Sequence, residues 1–116
     1  MQEAPGSASA ATRGPTETDP DKYKVIFENE RVPVLEYRDK PGQRTAPHYH
    51  PDYMLYALTS FRRSLSFPEE GKTGTREVHA GDVVWGKAQV HIGENVGATD
   101  THVIMVELKG PVVARP

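Results

Sequence analysis

Gly42-Gln43-Arg44-Thr45-Ala46-Pro47-His48-Tyr49-His50 is the stretch on which the reading of this chain turns. About forty residues on, Gly81-Asp82-Val83-Val84-Trp85 opens a second piece that closes with His91 and Asn95. Side chains alternate faces along a strand, so His48 and His50 point the same way and can share one ion. A third imidazole from another strand can complete a facial set of three nitrogens, and His91, after the Gly-Asp turn, is the natural candidate. A bare H-x-H pair is also what chance supplies, and a single histidine is commonly a surface residue or a satisfied core residue. The frame lifts this set above that background: Gly42 stands six positions before His48, and Gly81 stands ten before His91.

Outward from these two pieces the chain reads as short strands and tight turns. Lys24 to Glu28 and Arg31 to Arg38 form a first pair, with Pro33 placing the second strand at an edge or bulge. Asp39-Lys40-Pro41-Gly42 is a turn by composition. After Pro51-Asp52, Tyr53 to Leu58 is apolar on both parities, as suits a strand covered on both faces. Thr59 to Arg63 reads as a turn, and Ser64 to Phe67 as a half-buried strand. Pro68 to Gly74 reads as a loop, and Thr75 to His79, Val83 to Trp85, His91 onwards and Thr101 to Leu108 as further strands. Nothing has a sustained helical period. Eight or nine strands with frequent turns predict an all-β sandwich or barrel.

Residues 1–22 are mostly small or polar and predict a disordered tail, since such a segment buries too little apolar surface to offset its ordering entropy. A strand swapped onto a partner is the alternative for this tail. The domain expected is 23–110, with 111–116 as a C-terminal tail. A β-domain of about 95 residues can bury one modest core and fold alone. The net charge of −2 supplies no basic patch for nucleic acid. The chain has no cysteine, which excludes disulfides, thiolate zinc sites and iron–sulfur clusters and leaves histidine and carboxylate as metal ligands. No apolar run approaches the roughly 18 residues of a membrane span, so no membrane partner is expected. The N-terminus lacks an apolar signal core, and a cytoplasmic location is the expectation.

The two pieces resemble the motifs of the cupin superfamily, over roughly residues 24–109. The first family motif is matched at Gly42, His48 and His50, the second at Gly81, His91 and Asn95. The resemblance implies a double-stranded β-helix (jelly-roll) barrel, a pocket in its mouth and a homodimer. There are departures. The family's glutamate ligand falls at Met54 and the following glycine at Phe61. The proline and glycine of the second motif fall at Lys87 and Gln89, and His91 comes one residue early. The implied metal site is therefore His48, His50 and His91 alone. Three neutral ligands leave a divalent ion its full charge, which favours a small anionic substrate. Three-His cupins include iron-dependent dioxygenases, so one Fe(II) per chain is the leading expectation, with Zn, Mn or Ni as alternatives.

Parity carried regularly through Pro51 puts Met54 and Tyr56 on the face of His48 and His50. Tyr56 is then the candidate catalytic residue, a hydrogen-bond donor to substrate, or else an amphipathic core tyrosine. Arg44, Met54 and Trp85 are candidate pocket residues. Their alternatives are a rim arginine paired to a surface acid, a packing methionine, and a core or dimer-interface tryptophan. Asp52 is a turn residue or an acceptor for a ligand imidazole, and His79 and His102 are structural or surface histidines. Three functions compete: an iron oxygenase of a small bidentate anion, a non-redox lyase, isomerase or cyclase, and a barrel that binds without turnover.

Overall fold

The computed structural model describes residues 13–110. They form a short helix α1 (Pro15–Thr18) and nine strands: β1 (Tyr23–Glu28), β2 (Pro33–Asp39), β3 (His48–His50), β4 (Tyr53–Ala57), β5 (Phe61–Phe67), β6 (Lys72–Val78), β7 (Val83–Gly86), β8 (Gln89–Asn95) and β9 (Thr101–Glu107). All pairings are antiparallel. They build a five-stranded sheet in the order β1-β2-β9-β4-β7 and a four-stranded sheet in the order β3-β8-β5-β6. This is the all-β jelly-roll arrangement that the strand pattern and the two motifs predicted.

Alternation decides which side chains enter the barrel. Along β9, Thr101, Val103, Met105 and Glu107 are buried, whereas the residues between them are only partly so. Leu35 and Tyr37 from β2, Tyr53 and Ala57 from β4, and Val103 and Met105 from β9 meet Phe61 of β5 and Val78 of β6 in one core. Burying a large apolar side chain is worth roughly 1.5–3 kcal/mol, so this shared core is what binds the sheets face to face.

The chain changes sheet at two corners that matter for function. It leaves the four-stranded sheet at Pro51-Asp52, between β3 and β4, and returns to it at Lys87-Ala88, between β7 and β8. The corners are tied together, because the Ala88 amide donates to Asp52 Oδ1 at 2.8 Å. Asp52 is thus the turn residue of the two roles open to it.

Several local expectations are corrected. Pro33 is the first residue of β2, where its missing N–H costs no ladder bond. That strand lies inside the sheet, and the irregularity falls in β1 between Val25 and Phe27. β5 begins at Phe61 and β6 at Lys72, where turn and loop were expected. The outer face of β4 is not fully covered, with Tyr56 41 % exposed.

Residues 13–22 are not a tail. Asp19 is buried, and both its carboxylate oxygens accept the Ala46 amide at 3.2 Å, just before β3. Thr18 Oγ1 donates to Asp19 Oδ2 at 2.7 Å, and the Tyr49 amide donates to the Arg13 carbonyl at 2.7 Å. The anchorage is polar and runs through the backbone, so an apolar count misses it. Residues 1–12 and 111–116, the rest of the expected tails, lie outside the described residues. Asp19→Ala leaves the Ala46 amide without its acceptor and is expected to lower stability by about 1–3 kcal/mol. Urea unfolding checks this, and an unchanged midpoint would return the segment to the status of a tail.

Candidate metal centre

The ladder between β3 and β8 pairs His48 directly with His91, and His50 with Gln89. The one-residue gap of H-x-H and the cross-strand pairing together put the three imidazoles on the inner face. Their ring centroids form a near-equilateral triangle, 4.6 Å from His48 to His50, 4.9 Å from His48 to His91 and 4.8 Å from His50 to His91. One ring nitrogen of each lies within 4.8 Å of the others, and all three residues are buried.

Each ring is held by its Nδ1. His48 Nδ1 lies 3.0 Å from the Ala46 carbonyl, His50 Nδ1 2.6 Å from Glu107 Oε2, and His91 Nδ1 2.6 Å from Gln89 Oε1. Every partner is an acceptor, so each Nδ1 carries the proton and donates. For His91 the amide orientation agrees, because Gln89 Nε2 is used up in donating to the Lys87 carbonyl at 2.7 Å. Each Nε2 is left with its lone pair. The Nε2 atoms of His48 and His50 are buried with no hydrogen-bond partner among the described residues. Burial, reinforced by the neighbouring imidazoles, pushes His48 down to about 3 and His91 down to about 2. Both rings are therefore neutral at physiological pH, the form that binds a metal. Two buried lone pairs without partners among the described residues, with the His91 imidazole completing the triangle, fit a divalent ion held by His48, His50 and His91.

The candidate pocket residues are placed differently from the reading by parity. The corner at Pro51-Asp52 moves the chain to the other sheet and resets the alternation, so Tyr53, Leu55 and Ala57 face inward, with Met54 and Tyr56 outward. Trp85 pairs with Met54 and Tyr56 with Val83, on the outside of the five-stranded sheet. Trp85 is 55 % exposed. Arg44 is also exposed, in an isolated bridge to Glu94. None of Arg44, Met54, Tyr56 and Trp85 lines the cavity beside the histidines.

That cavity holds about 70 Å³. His91 forms part of its wall, with Tyr23, Tyr53, Leu55, Arg63 and Val84 among its other sides. The Tyr53 ring lies 5.1 Å from His50, and Tyr23 meets His48 edge to face at 5.6 Å. Gly86 makes room for Tyr53: a Cβ there would fall 2.1 Å from the ring. Burial raises both phenols above their ordinary value, so their hydroxyls stay protonated. Asn95 of the second motif is structural, its Nδ2 donating to Asp39 Oδ1 at 3.0 Å and to the Thr99 carbonyl at 2.8 Å. His102 bonds Glu36 at 2.7 Å on the outer face, and His79 is at the surface. Glu107 and Arg63 carry a signal that could have found them, since each is a charge at an inward position of an alternating strand. Gln89 and Asp19 carry none.

No protein-family model and no curated protein matches the chain. Solved structures do. A cupin domain from Bordetella pertussis Tohama I is 29 % identical with a TM-score of 0.68, over 76 % of this chain and 92 % of that one. A protein with a double-stranded β-helix domain from Klebsiella pneumoniae is 25 % identical with a TM-score of 0.57, over 73 % of this chain and 74 % of that one. The polyketide cyclase RemF from Streptomyces resistomycificus is 18 % identical with a TM-score of 0.58, over 95 % of this chain and 80 % of that one. The chain is a cupin in fold, and its three buried histidines could hold a metal ion. Among the described residues no helix is long and apolar enough to cross a membrane.

His50→Ala is expected to abolish metal binding, because two imidazoles hold a labile ion poorly. Glu107→Gln, which takes the charge from the group that orients His50, is expected to weaken binding about 10–100-fold. Competition with a metallochromic chelator measures both, and unchanged affinity in either variant contradicts the assignment of that residue.

Proposed function

We propose that this chain is a metal-dependent small-molecule enzyme of the cupin type, a three-His mononuclear iron oxygenase acting on a small bidentate anionic substrate. The observation that carries the reading is the convergence of buried Nε2 lone pairs, without partners among the described residues, beside a mainly apolar cavity. Fe(II) at such a site supplies redox chemistry with dioxygen and keeps a local charge that attracts an anion. The chain's own residues do the rest. The Ala46 carbonyl, Glu107 and Gln89 hold the rings in one tautomer. Leu55, Val84 and Met105 give the cavity an apolar wall. Tyr53 takes the role expected of Tyr56, because it lines the cavity and its hydroxyl stays protonated and able to donate a hydrogen bond to substrate.

The same phenols favour a second reading, a non-redox lyase, isomerase or cyclase. Two protonated hydroxyls beside the metal ligands can return a proton to an enolate, and the fold is shared with a polyketide cyclase. Elemental analysis of the purified protein, alone and as His91→Ala, separates the readings. About one iron per chain, lost in the variant, together with oxygen uptake on diketones, thiols or 2-oxo acids, is the expected result. Zinc, nickel or manganese moves the assignment to the second reading. No metal after reconstitution leaves a barrel that binds without turnover.

We further propose that two copies pair through the outer face of the five-stranded sheet. The register runs Trp85, Met54, Val106 and Val34 into one row across four strands, and Val83, Tyr56 and Ile104 into a second. Trp85, Val83 and Tyr56 are exposed there. A broad apolar sheet face marks an interaction surface, and a flat one can meet its own copy about a two-fold axis. Sedimentation velocity is expected to give a dimer that Trp85→Glu converts to monomer with metal content unchanged. A monomeric unaltered protein contradicts the proposal.

A further inference from the structure

Antiparallel pairing of β5 with β6 sets Arg63 directly opposite Arg76, between the pairs Phe61 with Val78 and Leu65 with Gly74. All of these except Gly74 line the cavity beside the histidines. Like charges directly opposite one another across a ladder destabilise it, so the pair calls for a compensating charge. Arg63 has one. Its Nη1 donates to Asp39 Oδ2 at 2.6 Å and its Nη2 to the Tyr37 hydroxyl at 3.1 Å, deep in the barrel.

Arg76 has none. Among the described residues no carboxylate oxygen lies within 4.0 Å of its guanidinium. It is exposed, on the inner face of β6, which is the edge strand of its sheet. The neighbouring inward position is Gly74, and a side chain there would meet nothing within 4 Å. The cavity therefore ends at a cation with open space beside it. Tyr53 lines the same cavity as Arg76 and His91, and its ring packs on His50 at 5.1 Å. The walls between are aliphatic, including Leu55, Leu65 and Val84.

We propose that Arg76 is the carboxylate anchor of this cavity, holding small molecules with an apolar body whose carboxylate sits at the β6 edge. The guanidinium fork matches a carboxylate in two parallel hydrogen bonds. If the three histidines hold a metal, as proposed above, the other end of the same molecule faces it. The anchor itself depends only on Arg76 and the cavity.

Calorimetric titration of the full chain with propanoate and butanoate, acids small enough for a cavity of about 70 Å³, against propanamide and butanamide, tests this. Both metal-loaded and metal-stripped protein are titrated, because a carboxylate could also bind the ion. At least one acid is expected to bind tenfold or more tightly than its amide in both forms. Arg76→Gln is expected to remove that preference while amide affinity and metal content stay as they were, and Arg76→Lys to keep part of it. An acid preference that survives Arg76→Gln, one that vanishes when the metal is stripped, or no measurable binding of either acid overturns the anchor. Failure to take up metal, with the acid preference intact, overturns the metal-enzyme reading and leaves the anchor standing.

Discussion

Three buried imidazoles that turn their Nε2 atoms away from any protein partner among the described residues are the constraint on which this barrel depends. An unmade hydrogen bond at a buried acceptor costs about 1–3 kcal/mol, and the Nε2 atoms of His48 and His50 are both in that state. Packing alone would place leucine or valine there at no such cost. The fold instead adds three further polar groups, the Ala46 carbonyl, Glu107 and Gln89, and all three act on the Nδ1 side. A structural histidine would be satisfied at both nitrogens. Here one nitrogen of each ring is fixed and the other is left to the interior, which is the division of labour a metal ligand requires.

The charge at this site has moved relative to the family motif. Met54 stands where the motif has a glutamate ligand, and the sheet change at Pro51-Asp52 turns it outward. The carboxylate that remains is Glu107, from the last strand, and it reaches His50 Nδ1 rather than the centre of the triangle. It fixes the orientation of the His50 ring. A divalent ion held there by three neutral imidazoles would keep its full charge.

How far the sequence discloses the molecule follows from what local pattern can carry. The histidines were legible because strand parity acts over two residues and the glycine turns frame each piece. The strand order was not readable from alternation, but the jelly-roll came with the motifs. The pocket was misread at one place, Pro51-Asp52. A corner that sends the chain to the opposite sheet breaks the alternation, and a one-residue change of register moves every following side chain to the other face. Met54 and Tyr56 moved outward together for that single reason, and Tyr53 took the inner place; Trp85 is outward because the β4–β7 ladder sets it opposite Met54. Arg44 failed differently, since it precedes β3 rather than sitting in it. Asp19 was hidden in a run of small and polar residues, because a bond to one amide 27 positions away leaves no trace in composition.

The interior polar cluster explains why such a small barrel can hold an open cavity. Asp39 accepts from Arg63, Asn95 and the Tyr37 hydroxyl, joining β2, β5 and β8. Arg63 also lies over the Tyr37 ring, 4.9 Å from its centroid. A buried ion pair adds little stability when it merely replaces apolar packing, but removing one partner is costly. The cluster therefore gives geometry more than energy. It fixes Arg63 in a neutral assembly at the floor of the cavity, so the opposing Arg76 is the cation left for a ligand. Tyr53 lines the same cavity and packs on His50, so a molecule gripped by charge at the rim would be oriented by Tyr53 within.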